Sequence, residues 1–243
     1  MRLSRFLVAL ALLVGTMLPA TAQAQFTSPQ GVKYLGHSAW GITKTKYGVY
    51  IGPYSLELQS GLEGSPGKMT IDAFCVDFEN YVAASWTANI NNVNTGDLTE
   101  TRFFQRYGDI AITEQRYRAA AWLAGQMNPG NSDSWWKYHG AVWAMMSTGP
   151  APDTFNSVDK FYNPFKNSLG DWGEGQVTDL VADAVNNHGN FSATGWSVIT
   201  PTGTPNSQEF ITHYNVVPEP GVVILLATGL VVMGAVAYMR SLA

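Results

Sequence analysis

The stretch Met69-Thr70-Ile71-Asp72-Ala73-Phe74-Cys75-Val76-Asp77-Phe78-Glu79-Asn80-Tyr81-Val82 decides how this chain folds. Its alternation has period two, which places Phe74, Val76 and Phe78 on one face and Ala73, Cys75 and Asp77 on the other, the pattern of an extended strand. On this reading Cys75 points away from the main aromatic face. It is the chain's single cysteine, so an intrachain disulfide is ruled out and the lone thiol needs another explanation.

Upstream, residues 32–58 carry short runs rich in Tyr, Val, Ile and Thr, punctuated by Gly36, Gly41, Gly48 and Gly52-Pro53. These read as strands joined by turns. Residues 61–68, with three glycines and a proline, read as a loop. Downstream, Tyr117, Ala120, Ala121 and Ala124 recur at helical spacing and predict a helix over 113–127, ended by Pro129-Gly130. A second helix is expected over 133–147, with Ser132 or Asp133 as N-cap and Trp135, Trp136, His139, Val142, Trp143 and Met146 as its apolar stripe. The short link between them predicts an antiparallel pair. A third helix is expected over 174–187 with Val177, Leu180, Val181, Ala184 and Val185 facing the core, followed by strands over 196–200 and 209–215. The predicted class is α+β: an antiparallel β-sheet or barrel with an inserted antiparallel helical pair, plus one C-terminal transmembrane helix.

The transmembrane helix is read, with an export signal, from the two ends of the chain. Arg2 and Arg5 precede an apolar run from Phe6 to Leu18, and Ala22-Gln23-Ala24 supplies a small-x-small cleavage site between Ala24 and Gln25. Residues 1–24 thus read as a secretory signal peptide. At the other end, residues 221–239 contain no charge and, at about 1.5 Å per helical residue, approach the roughly 30 Å hydrocarbon core of a bilayer. The span is preceded by Val217-Pro218-Glu219-Pro220 and followed by Arg240. That order resembles the PEP-CTERM sorting signal of Gram-negative bacteria, whose members are handled by an exosortase and delivered to the cell surface. Such tails usually end in several basic residues, where this chain has Arg240 alone.

Between the ends lie residues 25–216, enough for one domain with a sizeable core. Net charge is −4, becoming more negative once Arg2 and Arg5 are removed, and no Lys/Arg cluster points to nucleic acid. Charged residues make up only 13% of the chain and tryptophan, glycine and asparagine are plentiful, which suits an exported β-rich domain better than a disordered stalk because the aromatics supply apolar area that offsets the entropy of ordering.

Two local signatures in this region resemble the thioester domain of bacterial surface adhesins. One is the strand motif Phe74-Cys75-Val76-Asp77. The other is His139-Gly140-Ala141-Val142-Trp143, where the family carries Gln-x-Ala-aliphatic-Trp on a helix. The upstream helix Tyr117-Arg118-Ala119-Ala120-Ala121-Trp122-Leu123 and the Gly52-Pro53-Tyr54 turn also look like the family's, so the resemblance covers about residues 32–215. It implies a cysteine thiol placed against position 139. In the family that thiol attacks the glutamine carboxamide, expels ammonia and leaves an internal thioester that an amine on a target surface can capture. His139 has no acyl carbon, so that bond cannot form here.

Three readings of Cys75 and His139 follow. Both are core residues of a domain that kept the fold and lost the bond, which is the preferred reading. Alternatively they form a thiol-imidazole dyad, or another carboxamide, such as Gln126, supplies the acyl group. Other candidates are weaker. Asp72, Asp77 and Glu79 lack calcium-loop spacing and read as a solvated strand face. His37, His188 and His213 share no metal-ligand spacing. Trp135, Trp136, Trp143, Trp172 and Trp196 could stack glycans, but aromatics at helical spacing read as core. The expectation is an exported, membrane-anchored surface protein without cofactor or catalysis, structural or adhesive at the envelope or in extracellular matrix. Its expected partners are the membrane, an exosortase-type enzyme and, through the family's association, exopolysaccharide or surface ligands.

Overall fold

The computed structural model describes residues 25–37, 39–46, 49–62, 65–78, 80–147, 174–203 and 207–214. Ten strands and four α-helices are built from them. The strands are β1 (Gln30–Gly36), β2 (Lys44–Lys46), β3 (Val49–Ile51), β4 (Tyr54–Leu58), β5 (Gly61–Leu62), β6 (Ser65–Pro66), β7 (Met69–Cys75), β8 (Ser85–Asn92), β9 (Trp196–Thr202) and β10 (Phe210–His213). The helices are α1 (Arg102–Tyr107), α2 (Ile110–Gly125), α3 (Trp135–Ser147) and α4 (Glu174–Asn187).

Six strands close into a barrel in the order β1-β4-β7-β10-β9-β8, and every pairing around it is antiparallel. The class is therefore α+β with a closed antiparallel barrel, and closure removes the unpaired sheet edges that an open sheet would present. Residues opposite one another in a ladder share a face. The register Val32↔Leu58, Leu56↔Ile71, Tyr54↔Ala73, Cys75↔Phe210 and Phe210↔Ile199 thus lines up one buried interior. Tyr54 meets Phe210 edge-on at 5.2 Å and Trp86 stacks on it at 5.9 Å.

The two sides of the barrel differ. On β4 and β8 burial alternates, with one face in the core and the other partly or fully open to solvent. On β9 the residues Trp196 to Thr200 are buried on both faces, as are Ala73, Phe74 and Cys75 on β7. The reason is that α2, α3 and α4 pack against one another and cover this wall. Ala119, Ala120, Ala121 and Ala124 of α2 are fully buried, and their small side chains allow close approach.

Several expected boundaries shift for local reasons. Helix α2 begins at Ile110, three residues before the expected start, because the Asp109 side chain accepts from Ile112 N at 3.0 Å and caps it. Helix α3 begins at Trp135, and neither Ser132 nor Asp133 caps it. Pro129 instead opens a 3-10 turn, Pro129–Ser134, whose N-cap is Asn128, accepting from Gly130 N at 2.9 Å. Residues 61–68, expected as a loop, contain the small β5-β6 ladder. β8 and α1 lie in a region for which no element was expected. α4 matches its expected bounds, with Val177, Val181 and Ala184 buried and Leu180 and Val185 packed against the core.

Residues 25–215 form one compact unit. The signal peptide with its Ala24/Gln25 boundary, the motif at 217–220, the span at 221–239 and Arg240 lie outside the described residues. Among the described residues no helix is long and apolar enough to cross a membrane.

The candidate site at Cys75 and His139

β7 ends at Cys75, and the carbonyl there accepts two side-chain donors from α3. His139 Nε2 lies 2.9 Å from it and Trp143 Nε1 donates to it at 3.1 Å. These two residues are four apart, so they stand on one face of the helix, and their rings stack at 4.1 Å. The other imidazole nitrogen, Nδ1, accepts from Gly52 N–H at 3.0 Å. Because Nδ1 accepts, the proton must sit on Nε2, which then donates to Cys75 O; the contacts select one neutral tautomer. Burial of the ring pushes its pKa down to about 4, against a partly opposing hydrogen bond to Cys75 O. The imidazole is thus a fully buried, fully bonded linker between strand and turn.

Gly52 is needed for this contact. Its φ is +122°, and a Cβ built there would lie 2.5 Å from Trp135 Cε3. The turn backbone can press against the Trp135 ring and reach His139 only without a side chain.

The Cys75 thiol is buried and donates to Asp77 O at 3.1 Å. Burial raises its pKa far above the ordinary thiol value, with Trp143 and the Arg102 charge opposing. Such a buried, protonated group is a poor nucleophile. Cys75 was expected to point away from the main aromatic face. Instead its face holds Tyr54, Phe210 and Trp86, because both sides of β7 are lined with aromatics, and Phe74 on the opposite side meets Trp40 at 6.1 Å and Trp196 at 6.3 Å.

The alternative carboxamide, Gln126, donates to Trp122 O at 3.3 Å, one turn back on its own helix, and its backbone carbonyl accepts from Asn131. Trp135, Trp143 and Trp196 are buried and belong to the core; Trp136 is partly buried, and Trp172 lies outside the described residues. The acidic strand face is not solvated as expected. Asp72 is half-buried and accepts from Trp40 Nε1 at 2.6 Å, and Asp77 pairs with Arg102, because α1 and the β1-β2 connection lie over them; Glu79 lies outside the described residues. His37 bonds the Tyr34 hydroxyl and packs on Tyr50 at 4.4 Å, His188 bonds the Val185 carbonyl, and His213 packs on Trp196 at 4.9 Å. Among the described residues no group of three or more His, Cys, Asp and Glu could hold a metal ion.

Sequence reasoning missed a charged cluster next to Cys75. Glu209, fully buried, accepts from the Tyr117 hydroxyl, from Thr200 Oγ1 at 2.7 Å and from Arg102 N at 3.1 Å. Burial raises its pKa, while these donors and the Arg102 charge oppose. The Arg102 guanidinium bonds Asp77 Oδ2 and the Ser207 carbonyl. The one signal available was an isolated acidic residue ahead of the apolar run Phe210-Ile211.

No protein-family model, no curated protein and no solved structure matches this chain.

Proposed function

We propose that this chain is an exported surface protein, anchored by its C-terminal span and handled by an exosortase-type enzyme. Its thioester-domain-like ectodomain plays a structural or adhesive part at the envelope or in extracellular matrix and performs no catalysis. The observation that carries the inert reading is His139, whose Nε2–H donates to Cys75 O and whose Nδ1 accepts from Gly52 N–H. It stands at the position where the resemblance implies a glutamine, and its two hydrogen bonds reproduce the donor and acceptor of a carboxamide without an acyl carbon. A dyad enzyme is disfavoured by the same contacts, since the imidazole bonds the backbone of Cys75 and the thiol bonds Asp77 O. Exopolysaccharide or another surface ligand is the expected partner.

The test is the intact mass of the protein recovered from membranes. It should begin at Gln25 and show no ammonia loss that depends on Cys75. N-terminal glutamine can itself cyclise with loss of ammonia, so the comparison is with Cys75→Ala, and with methylamine treatment, which adds to a thioester and not to a cyclised terminus. A Cys75-dependent loss or a methylamine adduct in the wild type would overturn the inert reading in favour of a covalent adhesin. Recovery in the cytoplasm with Met1 retained would overturn the address. His139→Gln returns an acyl carbon to the site, and a fraction of that variant should lose ammonia and take up methylamine if the thiol lies within about 3–3.5 Å.

A further inference from the structure

Phe26 is the second residue after the Ala24–Gln25 bond, and it is already part of the fold. It is 4% exposed, forms an antiparallel bridge with Leu62 of β5, and meets the ring of Tyr214, just after β10, at 5.7 Å. The residues behind it are held as well. Thr27 N–H donates to Gly61 O at 3.0 Å. The buried Gln30 amide donates to Thr27 O at 2.7 Å and to Gly61 O at 3.3 Å, and it accepts from the N–H groups of Ser60 and Gly61 at 3.1 Å. The start of the domain is thus clasped between the β4-β5 connection and the residue that follows β10. Gln25 alone separates this clasp from the bond to be cut, and one extended residue spans about 3.5 Å. A peptidase takes several residues on each side of its bond in extended form, and Phe26 cannot enter a cleft while its ring is buried in the domain.

We propose that docking of Phe26 against Leu62 and Tyr214 seals the leader junction: the leader is removed from a chain whose first segment has not yet docked, and a precursor that folds first keeps its leader. Removal is hydrolysis, in which water adds across the Ala24–Gln25 peptide bond and leaves a carboxylate on Ala24 and an amine on Gln25. A folded precursor is cut only in the fraction of molecules with Phe26 undocked, so its rate follows that local opening. This rests on the reading of residues 1–24 as an export signal and adds an order to its processing: cleavage first, folding second.

The test is order of addition. The full chain is diluted from urea into detergent micelles with a purified leader peptidase either present from the start or added once folding is complete, and loss of the leader is followed by intact mass. Present from the start, the peptidase should cut after Ala24; added late, it should cut at least about tenfold more slowly. Five Gly/Ser residues inserted between Gln25 and Phe26 add up to about 17 Å of reach and should restore rapid cutting of the folded chain with the clasp intact. Tyr214→Ala removes the ring on which Phe26 rests. It lies far along the sequence from the bond and leaves recognition of that bond unchanged, so it should speed cutting several-fold in the folded chain alone. If Tyr214→Ala does not fold, the insertion decides. Folded and unfolded wild type cut at one rate, or a folded variant cut no faster than folded wild type, would overturn the clasp. Failure to cut even the unfolded chain after Ala24 would remove the leader reading itself and the clasp's role with it, so the two fail by different results.

Discussion

At the scale of single residues, His139 couples the site to pH. Its pKa falls from 6.5 to about 4 in the fold because burial disfavours the imidazolium. The unfolded chain therefore binds a proton at a higher pH than the folded one, and stability is lost on acidification. The loss begins as pH drops below 6.5 and is complete near 4, and a shift of this size corresponds to something on the order of 3 kcal/mol. Urea melts at pH 7 and pH 5 should show the wild type losing part of this. The His139→Gln variant, with nothing to titrate at the position, should lose less over the same interval. Equal losses in the two proteins would mean that the imidazole is protonated inside the fold.

At the scale of elements, the contact between the β3-β4 turn and α3 rests on Gly52 and Trp135. The Trp135 ring is fully buried and its Nε1–H is held by Asn128 O at 2.9 Å and Asn131 Oδ1 at 3.1 Å, so it has nowhere to retreat from a new methyl group. Gly52→Ala adds overpacking to an unfavourable φ of +122° and should cost about 3 kcal/mol or more, read as a fall in melting temperature. A melting temperature within a degree or two of wild type would show that the ring swings aside. This junction also marks how far the sequence could be read. The α3 stripe and the small face of α2 were legible because helical spacing exposes a buried face directly. β7 was legible as a strand, but the burial of both its sides was not, since that depends on helices far along the chain closing over the barrel. β8 has a buried set, Trp86, Ala88, Ile90 and Asn92, at strict period two, and was passed over because Asn-rich polar positions between them obscured it. The pairing of positions 75 and 139 came from motif order. The partners that complete it, Gly52 N–H and the Cys75 carbonyl, are backbone groups, which carry no mark in a sequence.

At the scale of the molecule, Glu209 ties the barrel to its helical cover, since its carboxylate collects a hydroxyl from α2, a hydroxyl from β9 and the backbone N–H that starts α1. Burying that carboxyl raises its pKa, an effect opposite in sign to that at His139. Above the ordinary glutamate value the unfolded chain gives up its proton while the fold still holds it. Stability from this group is therefore greatest at low pH and declines as pH rises, until the folded carboxyl has ionised, after which it is constant. Between the ordinary glutamate and histidine values the two residues pull against each other, on top of the contributions of Asp72, whose pKa burial also raises, and of His37 and His213, whose pKa burial lowers. Glu209→Gln removes one of them while keeping an oxygen for Thr200 and Arg102 N–H and giving Tyr117 an amide donor in place of an acceptor. With the opposing contribution of Glu209 gone and every other group unchanged, the variant should gain more stability than the wild type as pH is raised from about 4.5 to 6.5. Denaturant melts across that window decide the matter: parallel stability curves for wild type and variant would mean that Glu209 is already ionised in the fold and that Arg102 neutralises it fully.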